Sequence, residues 1–590
     1  MKKYLLLTLM LMVTAKMCAE EVEIGGLWYD LVPETKEAIV IQYKNNNRYT
    51  GSIAIPESVE NEGIPYNVTS IGEYAFLSCV SLSSISIPKG INKIEKYAFL
   101  YCTGLTTINV EVENTKYDSR NNCNAIIETE SNKLIVGCHN TIIPNNIKSI
   151  GDHAFSERSD LIQVTIPNSV TTIGYAAFAH CSGLTSVTIG NNVTSIGDHA
   201  FNGCSSLSSL TLPNSVTTIG DHAFTECSGL SSLTLPNSVT TIGNNAFECC
   251  SGLTAITIPN NLTNIGDGVF ANCTGLISVT IPNNVSTIGN GAFSGCSGMT
   301  SFTIGNSITS IGYRAFYGCR GLTSITIGNS VTSIGNNAFE RCSSLQSVHI
   351  SDLEKWLNIT FKNSGSNPLF YAHHLFLNGN EIKDLVIPNS VSNIGDHALS
   401  GGSYLNSIMI PNSVINIGSS AFAGCSALTS IKIPNSVTSI GRSAFWNCTI
   451  LSSVTIGNSV SRIEDFVFYG CSGLKNLISL NKTPPTFEYE EYSGGYDLLY
   501  LVDIPSCVVW VPKESIDAYK EADIWHYFNN LMELKPGDVN LDTEVNQEDM
   551  DALVDYVMGK DPEGFYEGLG DLNGDDNVNA ADIVTFINLK

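Results

Sequence analysis

Residues 184–204 read LTSVTIGNNVTSIGDHAFNGC, and close copies of this phrase recur along the 590-residue chain. An isoleucine followed by glycine or glutamate marks the same point of the phrase fifteen times. Within three unbroken runs the step between these marker isoleucines is always 23 residues. A fixed period of this length is typical of a repeat solenoid, in which each repeat packs only on its neighbours. The marker isoleucines are Ile71 and Ile94, the nine from Ile150 to Ile334, and Ile394, Ile417, Ile440 and Ile463.

The apolar positions of the phrase indicate how one turn of the solenoid, here called a rung, is built. Val187 and Ile189 alternate with polar residues, which is the pattern of a strand with one buried face. Gly190-Asn191 supplies turn chemistry and ends that strand. The rest of the 23 residues leaves room only for short extended pieces and a helical turn. We therefore expect a continuous parallel sheet along one face, and tightly packed turns and helical turns along the other.

At this point the residues show a family resemblance. The phrase V-T-I-P-N-S-V-T-x-I-G-x-x-A-F-x-x-C, as in Val164 to Cys181, resembles the leucine-rich repeats of BspA-like bacterial surface proteins. The resemblance covers residues 68–477, with inserts at about 111–149 and 352–384. It implies a non-enzymatic, surface-exposed protein that binds extracellular-matrix proteins and neighbouring cells.

The segments that flank the repeats are expected to cover the ends of the solenoid core, since an open stack of repeats exposes both core and strand edges. Residues 20–67 form the predicted N-terminal β cap, in which Ile39, Ile41 and Tyr43 alternate. Residues 478–535 are the predicted C-terminal cap and linker, with a closing strand and helix between Val508 and Tyr519.

Residues 1–19 are typical of a secretion signal. They carry two lysines, an apolar stretch too short to span a bilayer, and Ala19 where cleavage could fall. The alternative is a lipid anchor at Cys18, but Ala15-Lys16-Met17 fits a lipobox poorly because no leucine stands three positions upstream. The sequence favours a secreted or cell-surface protein without a transmembrane segment.

Eighteen cysteines would ordinarily suggest a disulfide framework in an exported chain. Thirteen of them, however, fall eight residues after a marker isoleucine. Such positions stack in one inward column about 4.8 Å apart, which disfavours bridging, so we expect a buried column of thiols. Cys123 and Cys138 lie within one insert and are the better candidates for a disulfide, although the sequence does not fix their geometry.

The net charge of −26 is concentrated at the end of the chain, where residues 537–590 carry fourteen acids and two lysines. Their spacing matches positions 1, 3, 5, 7, 9 and 12 of a twelve-residue calcium loop, which surrounds one ion with hard oxygen ligands. Two such loops predict two calcium ions. The first loop has Asp538, Asn540, Asp542, Glu544, Asn546 and Asp549, and the second has Asp571, Asn573, Asp575, Asn577, Asn579 and Asp582.

Two loops that end in aspartate, each followed but not preceded by a helix, resemble a type I dockerin. The resemblance implies a small EF-hand-like helical domain and a cohesin-like partner. Thr543 and Asp576 replace the usual glycine at position 6, which puts the loop turn and the affinity in doubt. The partner-reading pairs of dockerins would here be Gln547-Glu548 and Ala580-Ala581, which differ from each other, so specificity does not carry over.

Three other patterns invite functional interpretations. Asp-His pairs recur at 152–153, 198–199, 221–222 and 396–397, but other rungs carry unrelated residues there, which favours solvated turns over acid–base machinery. A second insert rich in aromatic residues, among them Trp356 and Phe376, favours a small core of its own over a contact site. An outward threonine column is either a ladder for glycan or protein contacts or simply good strand chemistry. It comprises Thr165, Thr188, Thr211, Thr234, Thr257, Thr280, Thr303 and Thr326.

Together these patterns predict an exported adhesion or recognition protein that binds host or bacterial surface proteins, matrix proteins or glycans through its repeats. The alternative is a scaffold subunit of an extracellular assembly, in which the C-terminal module makes the essential contact. A nucleic-acid partner is excluded because the sequence offers no basic groove.

Overall fold

Two compact units divide the computed structural model, residues 1–280 and 281–590. In each unit most of the chain forms parallel β-solenoid rungs that advance 23 residues at a time. Within the described residues, no helix has the length and hydrophobicity needed to cross a bilayer. The structure describes residues 20–44, 47–488, 499–560, 567–572 and 578–589. The predicted signal at 1–19, with Cys18, lies outside these residues.

The continuous ladder of the first unit is made by short strands that carry the marker isoleucines. Each of these isoleucines pairs in parallel with the isoleucine 23 residues later, from Ile150 through to Ile242. All of them are buried. The strands are Ser149–Ile150, Thr172–Ile173, Ser195–Ile196, Thr218–Ile219 and Thr241–Ile242, and Asn264–Ile265, which carries the next marker isoleucine, lies outside this sheet.

Between Gln163 and Thr280 the three- and four-residue strands pair two at a time. The continuous parallel sheet expected along this face is therefore interrupted there, whereas the parallel solenoid itself is confirmed. On this face Val187 and Val279 are half-buried, whereas Leu210 and Ile256 are buried. The pairs are Gln163–Ile166 with Ser186–Ile189, Ser209–Thr211 with Ser232–Thr234, and Ala255–Thr257 with Ser278–Thr280.

Between these strands the return side of a rung consists of successive turns, and its phenylalanines form the centre of the core. Phe178 and Phe201 stack nearly parallel with ring centroids 5.1 Å apart, and the stack continues in both directions. Offset-stacked rings are a favourable aromatic geometry. Further stacked neighbours are Phe76 with Phe99, Phe155 with Phe178, and Phe201, Phe224, Phe247 and Phe270 in series.

The predicted thiol column is confirmed, and it has a bonding role. Cys204 Sγ lies 3.2 Å from the carbonyl oxygen of Phe178 in the preceding rung, and Cys227 Sγ lies 3.2 Å from that of Phe201. Burial raises the pKa of Cys204 and of Cys227 well above its ordinary value, and that of Cys181 to about 12, so these thiols stay protonated and can donate. The same contact recurs along both units, at Cys102, Cys181, Cys250, Cys273, Cys319, Cys342, Cys425, Cys448 and Cys471.

The N-terminal region is an antiparallel ribbon that joins the solenoid by parallel pairing of Glu37–Ile41 with Ile64–Ile71. In its third strand Ala38 and Val40 are fully buried, whereas Ile39 and Ile41 are half-buried. The residues that point into the core are therefore Ala38 and Val40, which are the sequence neighbours of Ile39 and Ile41. The strands up to the first insert are Glu20–Ile24, Leu27–Val32, Glu37–Ile41, Gly51–Ala54, Ser58–Asn61, Ile64–Ile71, Leu82–Ile87, Lys93–Ile94 and Thr107–Val110.

The first insert is a hairpin that takes the place of a rung. Its second long strand, Lys133–Gly137, pairs in parallel with Ser149–Ile150 and so begins the next ladder. Cys123 and Cys138, the candidates for a disulfide, are both free. Cys138 Sγ instead lies 2.9 Å from Oδ1 of Asn140. The insert also contains Tyr117–Asp118, Ala125–Glu128 and the 3-10 turn Arg120–Asn122.

In the second unit both kinds of strand repeat, and the pairing spans the second insert. Thr360–Phe361 pairs with Ser333–Ile334, and Leu375–Leu377 pairs with Ser347–Ile350. The marker strands are Thr287–Ile288, Ser310–Ile311, Ser333–Ile334, Asn393–Ile394, Asn416–Ile417, Ser439–Ile440 and Arg462–Ile463, and Thr486–Phe487 extends their ladder. The others are Ser301–Thr303, Ser324–Thr326, Ser347–Ile350, Asn380–Glu381, Asp384–Val386, Ser407–Met409, Ser430–Ile433, Ser453–Ile456 and Asn476–Ser479.

The second insert has its own core, as predicted. Trp356 is buried, packs edge-on to Phe361 at 5.2 Å, and donates from Nε1 to the carbonyl of Ala398 at 2.9 Å. Phe370 and Phe376 are half-buried. Its helices are Leu353–Leu357 and Leu369–Ala372, with the 3-10 turn Ser364–Ser366.

After the repeats, the predicted closing strand and helix are confirmed. Val508–Pro512 pairs in parallel with Asn476–Ser479 and then with Asn530–Leu534. The Tyr519 and Trp525 rings pack edge-on at 5.0 Å and are fully buried. The helical segments that follow the repeats are Lys513–Ser515 and Trp525–Tyr527, both 3-10, and the α-helices Ile516–Glu521, Gln547–Val557, Glu567–Gly570 and Ala580–Leu589.

Candidate functional site

The threonine column forms an exposed face on the three- and four-residue strands. Thr165 pairs with Thr188, Thr211 with Thr234, and Thr257 with Thr280. All six of these side chains in the first unit are exposed, which confirms their predicted outward orientation. A polar ladder of hydroxyls one rung apart can hydrogen-bond an extended ligand, and it also satisfies the ordinary preference of threonine for strands.

The Asp-His pairs lie at turns, as predicted, and the aspartates bond one rung to the next. Oδ1 of Asp198 accepts a hydrogen bond from the backbone N–H of Asp221 at 2.9 Å, and Oδ1 of Asp221 accepts one from that of Asn244 at 2.7 Å. The paired histidines adopt left-handed backbone conformations, with φ of 56° at His199 and 54° at His222. Nδ1 of His222 lies 3.3 Å from Oγ1 of Thr225, and that hydroxyl donates to the carbonyl of Asn245 at 2.7 Å. These contacts hold neighbouring rungs together, which is a structural role.

Sequence reasoning missed an aromatic row on this flank of the first unit. The rings of Tyr97, His153, Tyr175, His199 and His222 follow one another with centroids 4.8–5.4 Å apart. Burial lowers the pKa of His153 and of His199. The signal in the sequence was the frequency of tyrosine and histidine two or three positions after the marker isoleucine.

The first predicted calcium loop brings three of its carboxylates together. Asp538, Asp542 and Asp549 each offer an oxygen, and these oxygens all lie within 4.8 Å of one another. Asp538 and Asp549 are fully buried, whereas Asp542 is exposed. Burial is the main cause that raises the pKa of Asp538, and the negative charge of Asp549 raises it further. A cation among these groups would relieve both effects.

Backbone N–H groups shape this loop. Oδ1 of Asp549 accepts from Val539 at 2.8 Å, and Oδ2 accepts from Asn546 at 2.9 Å. Asp538 accepts from Thr543 at 2.9 Å. Thr543 has a φ of 76°, in the left-handed region where calcium loops usually place glycine. The loop therefore adopts the usual turn, at the cost of a strained non-glycine residue.

The second predicted loop is described only at its ends. Asn573, Asp575 and Asn577 lie outside the described residues. Asp582 accepts from Leu572 at 2.7 Å and from Asn579 at 2.8 Å, and so repeats the role of Asp549. The short helix Glu567–Gly570 ends immediately before Asp571. The expectation that no helix precedes either loop is thus wrong for the second loop.

The remaining ligands predicted for the first loop are placed as follows. Oδ1 of Asn540 accepts from the N–H of Asp542 at 3.0 Å, and Oδ1 of Asn546 accepts from the N–H of Glu548 at 2.6 Å. Glu544 donates its N–H to Asp542 at 2.7 Å. Asn546 also caps the helix Gln547–Val557. All six positions offer oxygen atoms, the donor type that calcium prefers.

A family model described as a BspA type leucine-rich repeat region, in six copies, matches residues 55–135, 127–254, 240–367 and 372–491. The chain belongs to the BspA type leucine-rich repeat family. The BspA type repeats thus cover most of the chain and both units. Leucine-rich repeat solenoids of this type typically serve as binding scaffolds. The match ends before the C-terminal acidic loops, so it does not extend to the dockerin resemblance.

Several solved structures are similar to this BspA type chain. A leucine-rich repeat protein from Bacteroides ovatus ATCC 8483 is 26% identical over 87% of this chain and 100% of its own, with a TM-score of 0.43. A leucine rich cell surface protein from Faecalibacterium prausnitzii A2-165 is 24% identical over 82% and 98%, with a TM-score of 0.34. The pneumococcal vaccine antigen PcpA is 16% identical over 88% and 99%, with a TM-score of 0.25. No curated protein matches the chain.

Proposed function

We propose that this chain is an exported, non-enzymatic recognition protein of the cell surface or the extracellular space. It binds host or bacterial surface proteins, matrix proteins or glycans through its repeats. The observation that carries the proposal is the row of six exposed threonines on the paired strands of the first unit. A face of repeated, outward hydroxyls provides many equivalent hydrogen-bonding positions for an extended partner.

We further propose that the C-terminal acidic loops bind calcium and act as a dockerin-like module that docks to a cohesin-like partner. The clustered oxygens of Asp538, Asp542 and Asp549 support the first loop as an ion site. Asn540, Glu544 and Asn546 would supply the remaining oxygens, and bound calcium would neutralise the acidic cluster. Calcium binding is expected to stabilise the helix Gln547–Val557, which begins within the loop.

A binding assay on the secreted full-length chain tests the recognition role. Immobilised matrix proteins and surface glycans serve as probes, and binding is measured by surface plasmon resonance. The double variant Thr211→Lys, Thr234→Lys places two bulky charges on the exposed face. Its matched control is Thr217→Lys, Thr240→Lys, at exposed positions outside the threonine column. The proposal predicts a loss of at least about tenfold in affinity for the first variant and little change for the control.

Removing residues 537–590 separates recognition from scaffolding. A chain that still binds its matrix ligand without them, and in the presence of a calcium chelator, recognises that ligand through its repeats. If every partner is lost with the module, the repeats act as a spacer and the scaffold alternative is correct. Calcium titration followed by calorimetry tests the ion site itself, and Asp538→Asn should weaken binding to the first loop.

A further inference from the structure

A cavity of about 430 Å³ lies in the first unit, where the first insert interrupts the rungs. Regular rungs are joined here by backbone hydrogen bonds. His153 and Phe155, for example, donate to the carbonyls of Tyr175 and Ala177. The insert separates the rung that begins at Ile94 from the one that begins at Ile150, so this joint is open. The volume lies in the range of small-molecule sites.

The open joint leaves backbone donors on one wall of the cavity. The N–H groups of Tyr97 and Phe99 have no hydrogen-bond partner among the described residues. One rung further on, the equivalent groups are those of His153 and Phe155, which are both bonded. Unpaired backbone groups are rare in folded proteins, so a wall that carries two of them is suited to a hydrogen-bonding ligand.

Acceptors face the cavity from the next rung. The carbonyls of Asp152 and Ser156 correspond to those of Tyr175 and Ala179 one rung later, which do accept backbone hydrogen bonds. Within the described part of the chain, neither the Asp152 nor the Ser156 carbonyl receives one. The cavity is thus lined by both donors and acceptors, which is the combination that several hydroxyl groups on one ligand require.

Arg158 adds a charge to this polar lining. It stands eight residues after Ile150, the position that holds a cysteine in thirteen rungs, and it is only 3% exposed. Nη1 donates to the carbonyl of Cys102. No carboxylate in the described residues forms an ion pair with it, and Asp160, whose charge is nearby, lies 3.1 Å from Nδ1 of His139.

A buried guanidinium cannot lose its proton, so without an anion it carries an uncompensated charge. Arg158 lines the cavity, as do Lys96 and Lys133 and three carboxylates, Glu95, Glu128 and Asp152, so the charges of the lining balance. Glu95 pairs with Lys93, and Oδ1 of Asp152 accepts from the N–H of Tyr175. Arginine binds carboxylates through two parallel hydrogen bonds. Because Arg158 is buried without an ion-pair partner among the described residues, it is the group that favours a carboxylate on the ligand.

Aromatic rings complete the site. Tyr97 and Tyr175 are 37% and 45% exposed, and both line the cavity on either side of His153. Exposed tyrosine rings pack against the apolar face of a flat ring-shaped ligand and keep a hydroxyl for hydrogen bonding. We propose that this cavity binds a sugar acid, a pyranose that carries a carboxylate, with the carboxylate on Arg158 and the hydroxyls on the open backbone groups.

Calorimetry on the full-length chain tests this proposal. The probes are sodium D-glucuronate, D-galacturonate and N-acetylneuraminate, with D-glucose, D-galactose and sodium acetate as comparisons. At least one sugar acid should bind about tenfold or more tightly than the neutral sugars and than acetate, because only it engages both the arginine and the polar lining. Equal binding of acidic and neutral sugars, or no binding of any sugar acid at millimolar concentration, would overturn the assignment.

Arg158→Cys is the decisive variant, since it installs the residue that other rungs carry at this position. It should weaken sugar-acid binding about 10- to 100-fold without unfolding the rungs, which circular dichroism verifies. Arg341→Gln removes an exposed arginine of the second unit and is the control for charge. Unchanged affinity in Arg158→Cys contradicts the proposal.

Tyr175→Ala is an independent test of the site. The exposed Tyr175 ring contributes little to the core, and its removal should also weaken sugar-acid binding. The cavity stands apart from the threonine column, so the two proposals can fail separately. A chain that binds matrix proteins but no sugar acid retains its recognition role and disproves only the cavity assignment. If the chain binds sugar acids and the double variant Thr211→Lys, Thr234→Lys keeps its affinity for matrix proteins and surface glycans, only the role of the threonine face is disproved.

Discussion

Replacing one thiol of the column tests whether these cysteines stabilise the solenoid. Cys227 is fully buried, and its Sγ lies 3.2 Å from the carbonyl of Phe201, which also accepts the N–H of Cys204. Cys227→Ala removes the buried sulfur, worth about 1 kcal/mol of hydrophobic burial. It also removes a weak hydrogen bond, worth about 0.5–1 kcal/mol because the carbonyl keeps its other donor. We expect a loss of about 1.5–2 kcal/mol.

Cys249 provides the matched control, because it precedes a column cysteine in sequence but is itself only partly buried. Cys249→Ala should cost less than about 0.5 kcal/mol. The assay is amide hydrogen exchange on peptides that cover residues 196–250, since a repeat array can open locally. If the two variants lower the protection of these amides equally, the column does not stabilise its rungs in the way described.

Four further outcomes follow from the same contacts. In the folded chain iodoacetamide should modify Cys249 well before any column cysteine, because the column thiols are buried and the reagent cannot reach them, and mass spectrometry of the labelled chain shows which cysteines react. Gly137→Ala should cost about 1–3 kcal/mol in urea unfolding, since its Cβ would lie 2.2 Å from the Phe155 ring. Asp549→Ala should abolish calcium binding to the first loop and lower the helix content by circular dichroism, because Asp549 holds three backbone N–H groups there. Burial lowers the pKa of His199 below its ordinary 6.5, so the unfolded chain binds a proton more readily than the folded chain. The melting temperature should therefore fall as the pH drops below 6.5, and it should depend less on pH in His199→Gln.

The sequence predicts the rungs, the thiol column and the outward threonines because each of these features repeats at the same interval. A residue that recurs every 23 positions must occupy the same environment in each rung, so one phrase determines them all. The closing strand at Val508–Pro512 was also predictable, since its apolar run is typical of a strand. These features depend on local pattern and nearest-neighbour packing.

The features that sequence reasoning missed arise where the repetition fails. Arg158 and Gly402 occupy the thiol position in the first rung after each insert, and their surroundings depend on how the insert folds. The free state of Cys123 and Cys138 likewise depends on the path of a hairpin without a repeat to define it. The breaks in pairing among the strands from Gln163 to Thr280 also leave no mark in the sequence, where these strands repeat the same apolar pattern.

The strict pairing of residues 23 positions apart has a consequence for how such a gene can change. Thr188 sits on Thr165 and Ile196 on Ile173, so the rungs of one run present nearly the same upper and lower surfaces. An in-frame gain or loss of 23 codons within a run would therefore join surfaces that already fit. The number of rungs can vary by recombination between similar coding segments, whereas the inserts and the cavity at the first of them occur once and would be inherited intact.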